Sequence, residues 1–171
     1  MTPAEFKSRF IASLPTIPDD IDLTLDEFVI FPIELIAALR VNEADRRLLA
    51  ECGLPADAAP FLSFGLSADR VLVPLDDFPD SVAIGHNGCG DMICIDQSAG
   101  GAVVYYNHDN HMRRVFMNST LVQFAECLCL FANFMQTKDA STFTQKLELV
   151  DPSALAAGTF WPNEVECELD A

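Results

Sequence analysis

Apolar residues recur along the chain with two different periods, and the change between them falls near Pro60. Upstream the period is helical. Thr2-Pro3-Ala4-Glu5 has the form of a capping box with proline at the first helical position, and Phe6, Phe10 and Leu14 follow at four-residue intervals. This predicts an amphipathic helix reaching to about Leu14. The segment PTIPDDIDLTLDEF is acidic and rich in turn formers, and Pro32 restarts the chain ahead of an apolar stretch over Ile33 to Leu39. Asn42 is placed to cap a helix over EADRRLLAEC. Gly53 and Pro55 close it, because glycine takes the left-handed conformation past a helix end and proline cannot continue a helix.

From Pro60 the period shortens. PFLSF, RVLVPL, SVAIG, DMICID, AVVYYN and RRVFM are short runs of β-branched, aromatic and aliphatic residues, separated by GLSAD, DDFPD, HNGCG, QSAGG and HDNHM. Strands so closely linked predict an antiparallel meander rather than βαβ units. Asn118 or Ser119 then caps the clearest helix, NSTLVQFAECLCLFANFMQ, on which Leu121, Phe124, Ala125, Leu128, Phe131, Ala132 and Met135 form one apolar stripe. STFTQKLEL and DPSALAAGTFW suggest further short elements, and the acidic C-terminus is expected to fray. The predicted fold class is α+β: a single domain over residues 1–171, with a mostly antiparallel meander sheet of about six strands and helices packed on one face.

Half of the 171 residues are hydrophobic, including 13 Phe, which supplies a core and excludes a disordered chain. No apolar run is long enough to span a bilayer, and Lys7, Ser8 and Arg9 interrupt the apolar residues at the N-terminus, so a cytoplasmic protein is expected. Its six cysteines are then expected to be thiols. Charge sharpens the picture. There are 26 acids against 10 bases, a net −16, which argues against nucleic acid or anionic membrane as partner and favours a basic protein. The acids are also segregated: residues 71–112 hold Asp76, Asp77, Asp80, Asp91, Asp96 and Asp109 with no Lys or Arg.

The stretch IGHNGCGDMICID invites a chemical reading, as does YYNHDNH at 105–111. His86, Cys89 and Cys94 offer three zinc ligands, and His108 with His111 a pair. The latter lie in a short loop, where their spacing does not make them converge, and Cys127 and Cys129 point to different faces of a helix. A cysteine nucleophile needs an electropositive setting, whereas Cys89 is surrounded by acids. Gly85, Gly88 and Gly90 are not followed by a helix N-terminus, and Asp91 would repel a phosphate. No catalytic residue, metal or cofactor is therefore expected. Backbone geometry explains the stretch better. Asn87-Gly88 is a hairpin dipeptide in which both residues tolerate positive φ, so a β-branched residue at Gly88 should cost about 1–2 kcal/mol. Gly90 allows a bulge or close approach, and Asp91 is suited to bonding turn amides. In DMICID, Met92 and Cys94 fall on one face and Ile93 and Ile95 on the other.

Read with its neighbours, this stretch resembles the SUKH superfamily, bacterial immunity partners of secreted toxins with relatives in fungi and viruses. RRLLAECGLP resembles the helix ending in Gly-Leu-Pro of one branch, IGHNGCGDMICID the strand–glycine turn–strand, and GGAVVYYNHD the strand after it. VFMNSTLVQFAECL resembles the strand that runs into an Asn/Ser-capped helix, and Trp161 sits where that branch carries a late Trp. The resemblance covers residues 42–161, and little before residue 40 matches. By position, Gly88, Gly90 and Asp91 correspond to the family's Gly-x-Gly-Asp turn, and Asn118 and Ser119 to its helix cap. These are structural positions. His86 and Cys89 are not demanded by the pattern.

The resemblance implies a non-enzymatic binding protein without a cofactor, an immunity protein that neutralises a cognate toxin by direct binding. The alternatives are a regulatory scaffold of the same fold, or a small enzyme or metal protein built on His86, Cys89, Asp91 and the 108–111 loop. A nuclease toxin needs a cationic groove for phosphate, and a protein that plugs it needs carboxylates there. Asp76, Asp77 and Asp80 fall in a proline-broken loop, LDDFPDS, with Phe78 as an apolar anchor; Tyr106, His108 and Asp109 are expected to join them.

Overall fold

Thr2 and Glu5 form the expected capping box: the Thr2 hydroxyl accepts from the Glu5 amide at 3.2 Å, and the Glu5 carboxylate from the Thr2 amide at 2.7 Å. They start α1 (Pro3–Ala12), which buries Phe6 and Phe10 and ends before Leu14. The structure, a computed structural model, describes residues 1–18, 20, 22, 24–67 and 70–170. A two-residue strand, β1 (Phe28–Val29), and a single helical turn, α2 (Ile33–Ile36), lead to α3 (Glu43–Glu51). Asn42 caps α3, accepting from the Asp45 amide at 3.0 Å. Gly53 closes it with φ +70°, and a Cβ there would stand 1.9 Å from the Val29 carbonyl oxygen, so glycine is required twice over. β1 pairs with β2 (Leu54–Pro55).

Six strand-like runs become six strands of one sheet: β4 (Leu62–Phe64), β5 (Val73–Leu75), β6 (Phe78–His86), β7 (Met92–Asp96), β8 (Ala102–Asn107) and β9 (Arg113–Asn118). A seventh, β3 (Asp57–Ala58), pairs with β4 at the edge. The order is β3-β4-β6-β7-β8-β9, with β5 also on β6, and every pairing is antiparallel. The alternation in DMICID holds: Ile93 and Ile95 enter the main core, while Cys94 lies on the opposite face.

Helices cover the first face. α4 (Leu121–Thr137) runs under the sheet, followed by α5 (Ala140–Val150) and α6 (Phe160–Asp170). The predicted stripe is only part of what α4 buries. Phe134, Cys127 and Cys129 are buried too, because α1, α3 and α5 pack around the helix on several sides. Three positions differ from expectation. The N-cap of α4 is Thr120, whose hydroxyl accepts from the Gln123 amide at 3.2 Å, since Asn118 still belongs to β9 and Ser119 turns towards Asp151. The acidic C-terminus is helical to Asp170, held by buried Trp161 and Val165. LDDFPDS is not a loop: Asp76 and Asp77 are the turn of a β5–β6 hairpin, and Phe78, Pro79 and Asp80 belong to β6. That hairpin lays Val73, Leu75 and Phe78 on the second face of the sheet, against Ala83, Cys94, Val104 and Tyr106.

Candidate partner-binding surface

The β5–β6 hairpin sets the geometry of the acidic surface. Its register shifts between Pro74, opposite Val82, and Leu75, opposite Phe78. Pro79 and Asp80 therefore have no strand partner, which is how a proline is tolerated here. Asp76 and Asp77 are exposed, and among the described residues nothing donates a hydrogen bond to either carboxylate. Phe78 stacks on Tyr106, with ring centroids 3.9 Å apart and planes at 15°. Tyr106 is itself only 6% exposed, its hydroxyl 2.8 Å from that of Ser81, so it supports Phe78 from beneath. Asp77, Phe78, Asp80, Tyr106, Asp96 and Arg114 line an open groove of about 380 Å³. His108 and Asp109 do not line it.

The remaining acids of the basic-free stretch are bound by partners that lie outside it or at a neighbouring turn. Asp80 forms an ion pair with Arg40. Asp96 caps the 3₁₀ turn Gln97–Ala99 and pairs with Arg114 at 2.8 Å. Burial pushes the Asp96 carboxyl up, but the Ser98 and Arg114 bonds outweigh it and hold it below the usual range. Asp109 lies 3.3 Å from His108 Nε2. Among the described residues, Asp76 and Asp77 are the acids of this stretch that no cation or hydrogen-bond donor engages.

The turn between β6 and β7 is built by side chains. Asn87 Oδ1 accepts from the amides of Cys89, at 3.0 Å, and Asp91, at 2.9 Å. Positive φ is found at Gly90, +84°, and not at Asn87 or Gly88, so the hairpin-dipeptide reading is corrected. Gly88 is small for another reason: a Cβ there would lie 2.9 Å from the Cβ of Phe61. Asp91 reaches past its own turn to the 3₁₀ turn His108–Asn110, accepting from the His108 amide at 2.9 Å and from Asn87 Nδ2 at 3.0 Å.

Asn118 and Ser119 have a different role from the cap the sequence suggested. Asn118 Oδ1 accepts from the Trp161 indole at 2.8 Å, and its amide donates to Asp151 at 3.1 Å. Ser119 donates to the same carboxylate from its amide at 2.7 Å and its hydroxyl at 3.0 Å. The late Trp is thus tied to the end of β9. Asp45, fully buried, is the residue the sequence concealed: it accepts from the Val122 amide at 2.9 Å, joining α3 to the start of α4. Burial raises its carboxyl above the ordinary range against these hydrogen bonds. Its place beside two Arg on an amphipathic helix gave it the look of a solvated acid.

Among the described residues no group of three or more His, Cys, Asp or Glu is arranged to hold a metal ion. His86 Nδ1 faces the Asn87 carbonyl at 3.1 Å. Cys52 and Cys94 are buried thiols, pushed by burial to about 11 and about 12, which suits packing rather than nucleophilic attack. No helix among the described residues is long and apolar enough to cross a membrane.

Sheet, glycine turn, Asn118–Trp161 tie and acidic hairpin are parts of one α+β fold. The sequence model described as SUKH-4 immunity protein matches residues 24–166, and the chain belongs to that family. The match extends past the range 42–161 legible in the motifs and takes in β1 and α2; Phe31, between them, and Ile36, on α2, are buried in the core. No curated protein and no solved structure matches the chain.

Proposed function

We propose that this chain acts in the cytoplasm as an immunity protein that neutralises a cognate toxin domain by binding it directly, with no catalysis and no cofactor of its own. The partner is a basic protein domain, and a nuclease fits best, because a phosphate-binding groove is the surface that unpaired carboxylates complement. The observation that carries the reading is the tip of the β5–β6 hairpin: Asp76 and Asp77, exposed and without a partner among the described residues, beside a Phe78 braced by Tyr106. Charge at the tip steers the encounter, and the aromatic platform supplies apolar area next to it. Nucleic acid and anionic membrane are repelled by the same charge.

The test uses a candidate toxin domain, sought among the genes that neighbour this chain's own. Induced alone in a sensitive host, that domain should stop growth; induced with this chain, growth should recover, and the two should purify as a complex. Purified chain should also inhibit the toxin's activity in stoichiometric amounts. Unrelieved growth arrest with no complex would overturn the reading.

A further inference from the structure

A cavity of about 680 Å³ opens beside the β3–β4 hairpin, and the acidic hairpin takes no part in it. Its walls are mostly apolar: Phe10, Leu14, Leu25, Phe61, Ala132 and Met135. The size is that of a pocket for a side chain or two, well above a packing void.

Phe61 marks it as more than a gap. Of the 13 phenylalanines it alone is exposed, at 79%. It stands at the tip of the β3–β4 hairpin with φ +54°, a left-handed conformation that bulky residues rarely adopt. Its Cβ occupies the space that any side chain at Gly88 would need. The glycine turn that carries the family resemblance therefore leaves room for an aromatic ring at the mouth of a cavity. Ala132 and Met135, which continue the apolar stripe of α4, are half-buried and line the same cavity.

The rim is acidic. Asp57 and Glu168 line it, and Asp26 and Glu27, both exposed, follow lining residue Leu25 directly. Lys138 pairs with Glu168 at 2.8 Å, so the uncompensated acid of the lining is Asp57, whose carboxylate accepts from the Ser63 hydroxyl at 2.6 Å. A fatty acid would bring its carboxylate against Asp57, whereas a peptide with basic flanks complements both the apolar wall and that acid.

We propose that this cavity receives an aliphatic or aromatic side chain from a segment of the toxin partner flanked by Lys or Arg, with Phe61 closing against it as an anchor. The inference rests on the immunity reading for the identity of that partner, and it adds a second contact surface to the acidic hairpin.

Two arms test it. In the first, isotope-labelled full-length chain is titrated with the hexapeptide Lys-Lys-Leu-Phe-Lys-Lys and, separately, with Glu-Glu-Leu-Phe-Glu-Glu. The basic peptide should shift the amide signals of Ala58, Gly88 and Ala132 and bind about tenfold more tightly than the acidic one. Ala132→Phe, which fills the cavity, and Phe61→Gly, which suits the left-handed φ, should each weaken it about fivefold or more while unfolding near the wild-type midpoint. Asp76→Lys with Asp77→Lys should leave the cavity signals responding. Shifts confined to residues 76–80, no shift at Gly88 with millimolar basic peptide, or equal binding of both peptides would overturn the proposal. In the second arm, Ala132→Phe and Phe61→Gly are tested against the toxin domain. Full neutralisation by both variants sinks the cavity and spares the immunity reading; a toxin that wild-type chain neither binds nor inhibits sinks the immunity reading, and the peptide arm then decides the cavity by itself.

Discussion

Asp91 and His108 sit in different turns at one end of the sheet, yet the Asp91 carboxylate lies 2.6 Å from the His108 ring Nδ1 and 2.9 Å from the same residue's amide. The pair fastens the β6–β7 turn to the β8–β9 turn. Burial alone would push the Asp91 carboxyl up; the His108 amide and ring, with Asn87, outweigh it and hold the carboxyl below the usual range. The Asp91 bond and then the Asp109 charge hold His108 above its ordinary value.

These opposite shifts define a window. The raised His108 stabilises the fold below the ordinary histidine pKa of about 6.5, and that contribution is lost as pH rises through its folded value. The lowered Asp91 contributes above about 3.9 and is lost as pH falls through its folded value. His108→Ala should therefore lower the unfolding temperature most between about pH 4.5 and 6 and least near pH 9. Thermal melts of both proteins across that range check this; a pH-independent gap would mean that the ring contributes no charge.

Gly88→Ala should destabilise by about 1–3 kcal/mol through its clash with Phe61, not through backbone strain. Phe61→Gly removes the opposing Cβ, so the double variant should recover most of the loss. Urea unfolding of the four-member cycle gives the answer, and strict additivity would rule out the steric account.

Asn118→Ala should cost about 2–4 kcal/mol, since it leaves the buried Trp161 indole without an acceptor and takes one of three donors from Asp151, which keeps the two from Ser119. Intrinsic fluorescence of Trp161, the single tryptophan, reports both the unfolding midpoint and any exposure of the indole in the native state.

Asp76→Lys with Asp77→Lys should slow association with the toxin domain about tenfold at low salt and change dissociation little, because an exposed charge at a rim acts mainly on encounter. Added salt should slow wild-type association and narrow the gap. Stopped-flow association rates at two ionic strengths decide; unchanged rates would remove the hairpin from the interface.

Glu164, facing Glu168 one helical turn away on α6, is pushed up to about 7 by burial and then by that neighbour. A carboxyl raised in the folded state stabilises it below its ordinary pKa and loses that contribution as pH rises through the folded value. Glu164→Gln should accordingly raise the melting temperature at pH 8.5 and have little effect at pH 5. An equal gain at both pH values would point to packing instead.

Local information in the chain was enough for much of the fold. Thr2 with Glu5, and Asn42 with Gly53, are contiguous signals whose bonds close within a few residues, so spacing alone located α1 and α3. Period-2 runs between turn formers marked all six central strands, and the acid-rich, base-free stretch 71–112 was legible by inspection.

Long-range contacts decided the rest. A proline and three aspartates read as a loop, but cross-strand pairing with a register shift made the segment a hairpin and put Phe78 on Tyr106. Asn118 looked like a cap until Asp151 and Trp161, more than 30 residues away, claimed its side chain. Asp45 looked solvated until α4 brought the Val122 amide to it. The size of Gly88 was set by Phe61, a contact no turn propensity encodes. Sequence period fixes which residues share a face, because that follows from backbone geometry within one element; which charges are neutralised and which aromatic is left exposed depends on what another element places opposite them.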